Sequence, residues 1–252
     1  MLFAGASIAM GPDGNCATGS KSSASNAGCS EGQGKAGSNC EISTLLGAPV
    51  VELSPESKAT LLQMREEEKL ARDVYATLGE QWGAKVFNIA NAEQKHMNAM
   101  KKMLDRFGIE DPITDDSRGV FKSQPLTDLY NQLVESGSES LLAALQVGAK
   151  IEELDLSDLR TAADGVNDPA LTKVYSNLSR ATRNHLRAFA AQIQREGRTY
   201  TAEFLTQEEF DTIAASDFEK GHAKGKGKGQ GKGKGKQGQG KNAGKGCGLC
   251  SS

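Results

Sequence analysis

The patterned middle of this 252-residue chain contains no cysteine. All five cysteines, Cys16, Cys29, Cys40, Cys247 and Cys250, lie in Gly-, Ser- and Lys-rich ends, so thiols neither staple nor line a core. The first three are spaced like no zinc pattern. Cys247-Gly-Leu-Cys250 is a C-x-x-C without a second pair or a strand–helix context, which makes it a weak metal or redox signal. Tail thiols, disulfide-bonded outside the cytosol, are the plainer reading. No stretch approaches the roughly 20 apolar residues of a membrane-spanning helix. No run of β-branched residues alternates with period two. Neither a transmembrane segment nor a sheet is therefore expected. The opening MLFAGASIAM is apolar but has no basic flank, and fits either the stump of a signal peptide or an ordinary chain end. Location stays open between export or the periplasm, toward which that opening leans, and the cytoplasm.

The two ends also lack hydrophobic periodicity. Residues 1–48 are rich in Gly, Ser, Ala and Asn and bury too little to offset ordering entropy, so they are expected to be disordered. Residues 220–252 are expected to behave likewise, with self-repulsion added. Residues 220–246 hold nine lysines and no acid. Taking those nine from the 30 basic residues leaves 21 against 32 acidic ones, a balance of −11 for the rest of the chain. The formal net charge of −2 thus conceals an acidic body and a basic tail. The tail has no aromatic residue on which bases could stack, so specific nucleic-acid binding is not expected. An anionic surface or polymer is the partner its charge suits, and a solubilising extension is the plainer alternative.

What remains, residues 49–219, has the size of one domain and reads as all helix. Ser54-Pro55 supplies an N-cap followed by proline at the first helical position, and the first helix runs to about Leu78. A second is expected from Ala84 to Phe107, stopped by Gly108. A long connection, IEDPITDDSRGVFKSQP, leads to a short helix over Leu126–Glu135. A third long helix is expected from Ser138 to Ala163, a fourth from Asp168-Pro169 to before Gly197, and a short one over Gln207–Ala214. Two helical hairpins joined by one long crossover is the topology of ferritin-like four-helix bundles.

Each long helix has an apolar stripe with a polar interruption. The first reads Leu61, Met64, Glu68, Ala71, Tyr75, Leu78, with Glu66 and Glu67 falling off the stripe toward solvent. The second reads Val86, Ala90, Glu93, Met97, Met100, Leu104, Phe107, with His96 one turn beyond Glu93. The third reads Leu142, Leu145, Ala149, Glu152, Leu156, Leu159, Ala163, with Asp155 one turn beyond Glu152. The fourth reads Leu171, Tyr175, Leu178, Thr182, His185, Phe189. A single such residue is usually a ragged edge or a satisfied core histidine. Four in register, with no Lys or Arg in the seams, are different. Unpaired buried carboxylates cost several kcal/mol each, and a pair of divalent metal ions with O and N ligands would neutralise them. The candidate metal ligands are Glu68, Glu93, His96, Glu152, Asp155 and His185. In di-iron carboxylate bundles two helices give single Glu residues and two give Glu-x-x-His. Here Glu93-x-x-His96 is complete, whereas Thr182 stands where the second Glu belongs, and Asp155 is the best candidate to replace it. Met97, Met100 and Met103 raise copper, but methionines at helical spacing more often pack a core.

MREEEKLARDVY, AEQKHM, VGAKIEELDLSDL and RNHLRAF resemble the bacterial and archaeal domain of unknown function 2202, in the ferritin-like superfamily, over about residues 50–215. More distantly, Glu68-Lys-Leu-Ala-Arg-Asp-Val-Tyr75 resembles the Glu-x-x-Ala-Arg-x-x-Tyr of the first helix of rubrerythrin. That likeness implies bridging or terminal carboxylates at Glu68 and Glu93, a terminal ligand at His96, paired carboxylates at Glu152 and Asp155, and a ligand position at His185. The four-Cys module that donates electrons in rubrerythrin has no counterpart here. Ferritin-like bundles range from monomers to cages, so a homo-oligomer is among the assemblies the resemblance allows.

Three functions follow as expectations. The first is a di-metal oxidoreductase, with two iron or manganese ions, acting on peroxide or oxygen. Tyr75 is its candidate radical or proton relay, or else a core tyrosine with a bonded hydroxyl. The second is a non-catalytic metal-binding or iron-handling protein with a degenerate site. The third is a helical adaptor with a hydrogen-bonded polar core, against which the lack of seam cations argues.

Overall fold

In the computed structural model, residues 45–221 are described, and these form an all-helical domain. Residues 1–44 and 222–252, with all five cysteines and eight of the nine tail lysines, lie outside the described residues. The helices are α1 (Pro55–Trp82), α2 (Ala90–Phe107), α3 (Gln124–Gly137), α4 (Leu141–Ala163), α5 (Pro169–Arg195) and α6 (Gln207–Ala215). None is long and apolar enough to cross a membrane.

Caps explain most boundaries. Ser54 Oγ accepts from Ser57 N, and Pro55 opens α1. That helix runs one turn beyond the expected Leu78, to Gly83, whose φ of 63° supplies the left-handed stop. The expected helical start at Ala84 is instead a 3-10 turn, Lys85–Ile89, which buries Phe87 before α2 begins. The third long helix begins at Leu141 because Ser140, not Ser138, caps it, by accepting from Ala143 N. Asp168 caps α5 through Ala170 N and Leu171 N.

The four long helices touch in a closed circuit: α1 with α2, α2 with α5, α5 with α4, and α4 with α1. Their stripes meet as two apolar clusters. One contains Tyr75, Leu78, Phe87, Leu145, Ala149 and Phe189. The other contains Leu61, Met64, Met100, Met103, Leu159, Leu171, Tyr175 and Leu178. Met100 and Met103 are thus core packing. The polar interruptions lie between the two clusters along α1 and α5. Phe189 stacks at a tilt on Tyr75 (5.3 Å between centroids) and Phe87 (5.7 Å), closing one side of that polar layer.

The connection from α2 to α4 is held by the opposite edge of α1. Lys69, fully buried, pairs with Asp73 at 2.5 Å and donates to Ser117 O at 2.8 Å. Asp73 also accepts from Gly119 N. Arg65 donates twice to Asp111. Glu66 accepts from Lys122 N and Ser123 N, so it is tied to this connection rather than facing solvent freely. At the other end of the domain Arg106 joins the α5 cap at Asp168 (2.9 Å).

Gly148 lies on α4 against the Phe189 ring, and a methyl group there would overlap ring carbons. Ala normally improves a helix interior by about 1 kcal/mol over Gly. Here overpacking, about 1–3 kcal/mol, outweighs that gain. Gly148→Ala is expected to lower the urea midpoint; a raised midpoint would show that Phe189 has room to move.

Candidate metal centre

Glu68 on α1, Glu93 and His96 on α2, Glu152 and Asp155 on α4, and Thr182 and His185 on α5 converge in the layer between the apolar clusters. Glu68, Glu93 and Glu152 are each 2% exposed. Glu93 is central. Its Oε2 lies 2.6 Å from His96 Nδ1, which is also 3.2 Å from Glu68 Oε2. Its Oε1 lies 2.9 Å from His185 Nδ1, which is also 3.5 Å from Glu152 Oε1. The two imidazoles stack at 5.6 Å between centroids. The ligand atoms therefore form two groups, Glu68–Glu93–His96 and Glu93–Glu152–His185, each with its atoms within 4.8 Å of one another. Glu93 belongs to both, with one oxygen turned to each histidine.

Asp155 joins neither group. Its Oδ2 accepts from Thr182 Oγ1 at 2.6 Å, which ties the carboxylate to α5. Its other oxygen is buried without a partner. Tyr75 donates to Glu152 Oε1 at 2.7 Å and is fully buried. Tyr175, in the Met-rich cluster, also has a buried hydroxyl but no acceptor for it.

The charges explain why this arrangement suits a cation. Burial pushes Glu68 well up, an effect His96 offsets in part while Asp155 adds repulsion. Burial also raises Glu152, against the pull of His185. Glu93 goes the other way: burial opposes its ionisation, but His185 and His96 draw it down to about 2. Burial disfavours a charged His185, yet Glu152 and Glu93 lift it to about 10. Burial and the Glu152 charge raise Asp155 to about 7. In the bare chain the histidines serve as the countercharges. Even so, Glu68 Oε1, Glu93 Oε1 and His185 Nδ1 remain buried without a directed hydrogen bond. His185 Nδ1 and Glu93 Oε1 are close but badly aligned for one another. Buried O and N donors drawn from four helices into two groups, some of them left without a directed hydrogen bond, fit a divalent ion.

Residues 57–217 match the family described as Uncharacterized protein domain (DUF2202). The chain belongs to this family. The DUF2202 domain is similar to uncharacterized protein MJ0754 of Methanocaldococcus jannaschii, with 44% identity over 174 residues, 69% of this chain and 94% of that protein. It is also similar to the crystal structure of hypothetical protein MJ0754 from Methanococcus jannaschii DSM 2661, at a TM-score of 0.67 and 43% identity over 69% of this chain and 99% of that chain.

Sequence periodicity placed Glu68, Glu93, Glu152 and His185 in the seams, and the DUF2202 fold brings those four and His96 together. Asp155 lies outside both groups and accepts from Thr182. Glu67 was read as facing solvent, yet its Oε2 is buried without a partner. The clamp of Lys69, Asp73, Arg65 and Asp111 has no comparable signal, because its partners are backbone groups and a distant loop.

The shifts fix a pH dependence for the metal-free DUF2202 chain. His185 stabilises fully below its ordinary value of 6.5, and this is lost as pH rises through about 10. Asp155 behaves alike, losing its contribution as pH rises from 3.8 through about 7. Glu93 contributes above 4.5 and loses that as pH falls toward 2. Kept in chelator, the chain is expected to melt highest near about pH 4, where the gain from Glu93 and the loss from Asp155 balance, and to lose Tm as pH rises toward 9. A Tm that is flat or rising over that upper range would contradict the assigned charges.

Proposed function

We propose that the domain is a ferritin-like four-helix bundle whose core holds a pair of divalent ions, iron or manganese, and that it acts as an oxidoreductase on peroxide or oxygen. The circuit of contacts among α1, α2, α5 and α4, with a long connection carrying α3 between its halves, supports the fold. The split carboxylate of Glu93 carries the metal reading. One side chain gives each histidine–carboxylate group an oxygen, as a bridge between two ions would. Glu68 and His96 would hold one ion, and Glu152 and His185 the other.

Bound ions of this kind supply Lewis acidity and electrons for O–O cleavage. The chain supplies the setting. Apolar clusters on both sides bury the three glutamates of the ligand layer, each 2% exposed. Burial and the Glu152 charge push the Tyr75 hydroxyl well up, so it keeps its proton beside Glu152 Oε1, where it can be given to a substrate oxygen that gains charge. Tyr175 lacks any such acceptor and is unsuited to that task.

A second reading is a metal-binding or iron-handling protein without turnover. Thr182 favours it, because α5 contributes a hydroxyl where a further carboxylate would complete the donor set, and that hydroxyl is committed to Asp155.

Metal analysis of the purified full chain, with Glu93→Ala and His185→Ala beside it, separates these. About two iron or manganese ions per chain are expected, by the two-group geometry and the stoichiometry of such sites. Glu93→Ala is expected to lose both, and His185→Ala at least one. Full metal content and peroxide consumption in Glu93→Ala would refute the site. Stoichiometric metal without peroxide or oxygen consumption would leave the handling role.

With turnover established, Tyr75→Phe is expected to retain metal while consuming peroxide about 10²-fold more slowly, the ordinary loss of a positioned proton donor. An unchanged rate would make Tyr75 a packing residue only.

A further inference from the structure

We propose that the face between α2 and α5 docks an acidic electron-carrier protein, which reduces the metal centre past the exposed edges of His96 and His185. The inference rests on the oxidoreductase reading given above, whose reaction consumes electrons. Each encounter moves one electron from the reduced carrier to the oxidised centre and releases the carrier oxidised. Two encounters supply the two electrons that peroxide takes up, with two protons, in becoming two waters.

The ligand layer is least covered at its histidines. The side chains of His96 and His185 are 13% and 12% exposed, against 1–3% for Glu68, Glu93 and Glu152. His185 Nδ1 is itself shielded, so the exposure falls on the rest of that side chain. The two rings stack on one another from α2 and α5, while Glu68 and Glu152 come from α1 and α4. The opening is therefore at the α2–α5 seam. Each histidine has an alanine four residues before it and another three residues after, Ala92 and Ala99 on α2 and Ala181 and Ala188 on α5, all half-buried. Side chains no larger than a methyl group leave the ring edges unroofed.

Positive charge borders this seam. Lys95, Ala99, Lys102 and Arg106 share one side of α2, the side from which Arg106 reaches Asp168 of α5. Lys95 and Lys102 are exposed there. Gln94 and Asp105 lie on the other side of α2, where Gln94 meets Arg72 of α1. The helix across the seam, α5, carries five Lys and Arg residues and no acid. Its outer flank is strapped by residues 216–221. Asn184, next to His185, exchanges two hydrogen bonds with the Glu219 backbone, at 2.9 and 3.0 Å, and Arg183 and Arg187 pair with the Glu219 carboxylate. Gly221 ends the strap against the Arg180 guanidinium. Lys220 and the eight lysines that follow it in the sequence thus leave the domain from the rim of the seam. Phe218, 66% exposed in the strap, offers an aromatic contact beside these charges. Basic borders, an exposed aromatic ring and histidine edges that reach the surface complement a carrier with acids around its redox group. A nucleic acid would be held by the tail lysines alone and gains nothing from the ring edges.

The probes are an acidic two-iron ferredoxin and an acidic flavodoxin, with basic cytochrome c as the opposite-charge control. Binding to the full chain is measured by isothermal titration calorimetry. Oxidation of the reduced probe by the oxidised, metal-loaded chain is followed by visible absorbance in an anaerobic stopped-flow cell. Both acidic carriers are expected to bind and cytochrome c is not, with affinity falling as salt is added. A Lys95→Glu, Lys102→Glu double variant is expected to bind the carriers about tenfold more weakly and to take electrons from them about tenfold more slowly, the scale of a reversed steering field, with metal content unchanged. The same charge change on α1 and the long connection, Lys58→Glu with Lys122→Glu, is expected to alter both by less than about twofold, because distant exposed charges are screened. Equal losses in the two double variants would overturn the docking face and leave attraction to net charge and the tail. A chain that holds no metal would remove the oxidoreductase reading and with it the electron role, even if the carriers bind. A fully metal-loaded chain that neither carrier binds removes the docking face alone.

Discussion

Glu93 offers its two oxygens to two histidines inside a largely buried layer, and the domain is arranged around the consequences. Buried carboxylates are tolerated only when countercharges are held close and in fixed directions. Two imidazoles from different helices meet that need here, His96 from α2 and His185 from α5. His185 is placed by a helix whose N-cap, Asp168, fixes where its turns begin. A shift of one residue in α5 would turn His185 by about 100° around the helix, away from Glu93. The N-cap of Asp168, itself anchored by Arg106 of α2, therefore bears on the polar layer even though it lies at the far end of the helix.

The first long helix serves two structures at once. Glu68 and Tyr75 face the layer, while Lys69 and Asp73 face the long connection, where they meet Ser117 O and Gly119 N. A helix turns about 100° per residue, so neighbours in sequence can belong to separate networks. The separation has an electrostatic benefit. Lys69 is spent on Asp73 and a carbonyl, so its charge does not fill the role that the histidines, or a metal ion, take among the glutamates. The same segment, MREEEKLARDVY, thus contributes a candidate ligand, a buried hydroxyl and the clamp on the connection.

The acidic side chains outside the two ligand groups are not surplus. Asp155 accepts from Thr182, and Glu67 accepts from Gln63. An apolar wall formed by Phe87, Phe189 and Tyr75 bounds the layer on one side, and the Met-rich cluster bounds it on the other.

The sequence by itself determined the helices and their inward faces. Pro, Ser, Asp and Gly at the helix ends mark boundaries through local hydrogen bonds and backbone geometry, which need no distant partner. The seams Leu61 to Leu78 and Leu171 to Phe189 followed from a spacing of three and four, because a helix must bury one stripe. Glu68, Glu93, Glu152 and His185 were legible as defects in those stripes. The register between helices was decided only by tertiary structure. It set Glu93, rather than Glu68 or Glu152, between both histidines, and it turned Asp155 to Thr182. It also set Lys69 against Ser117 O and closed Phe189 over Gly148. Such outcomes depend on how far one helix slides along another, a displacement of a few ångströms that packing fixes and periodicity leaves free.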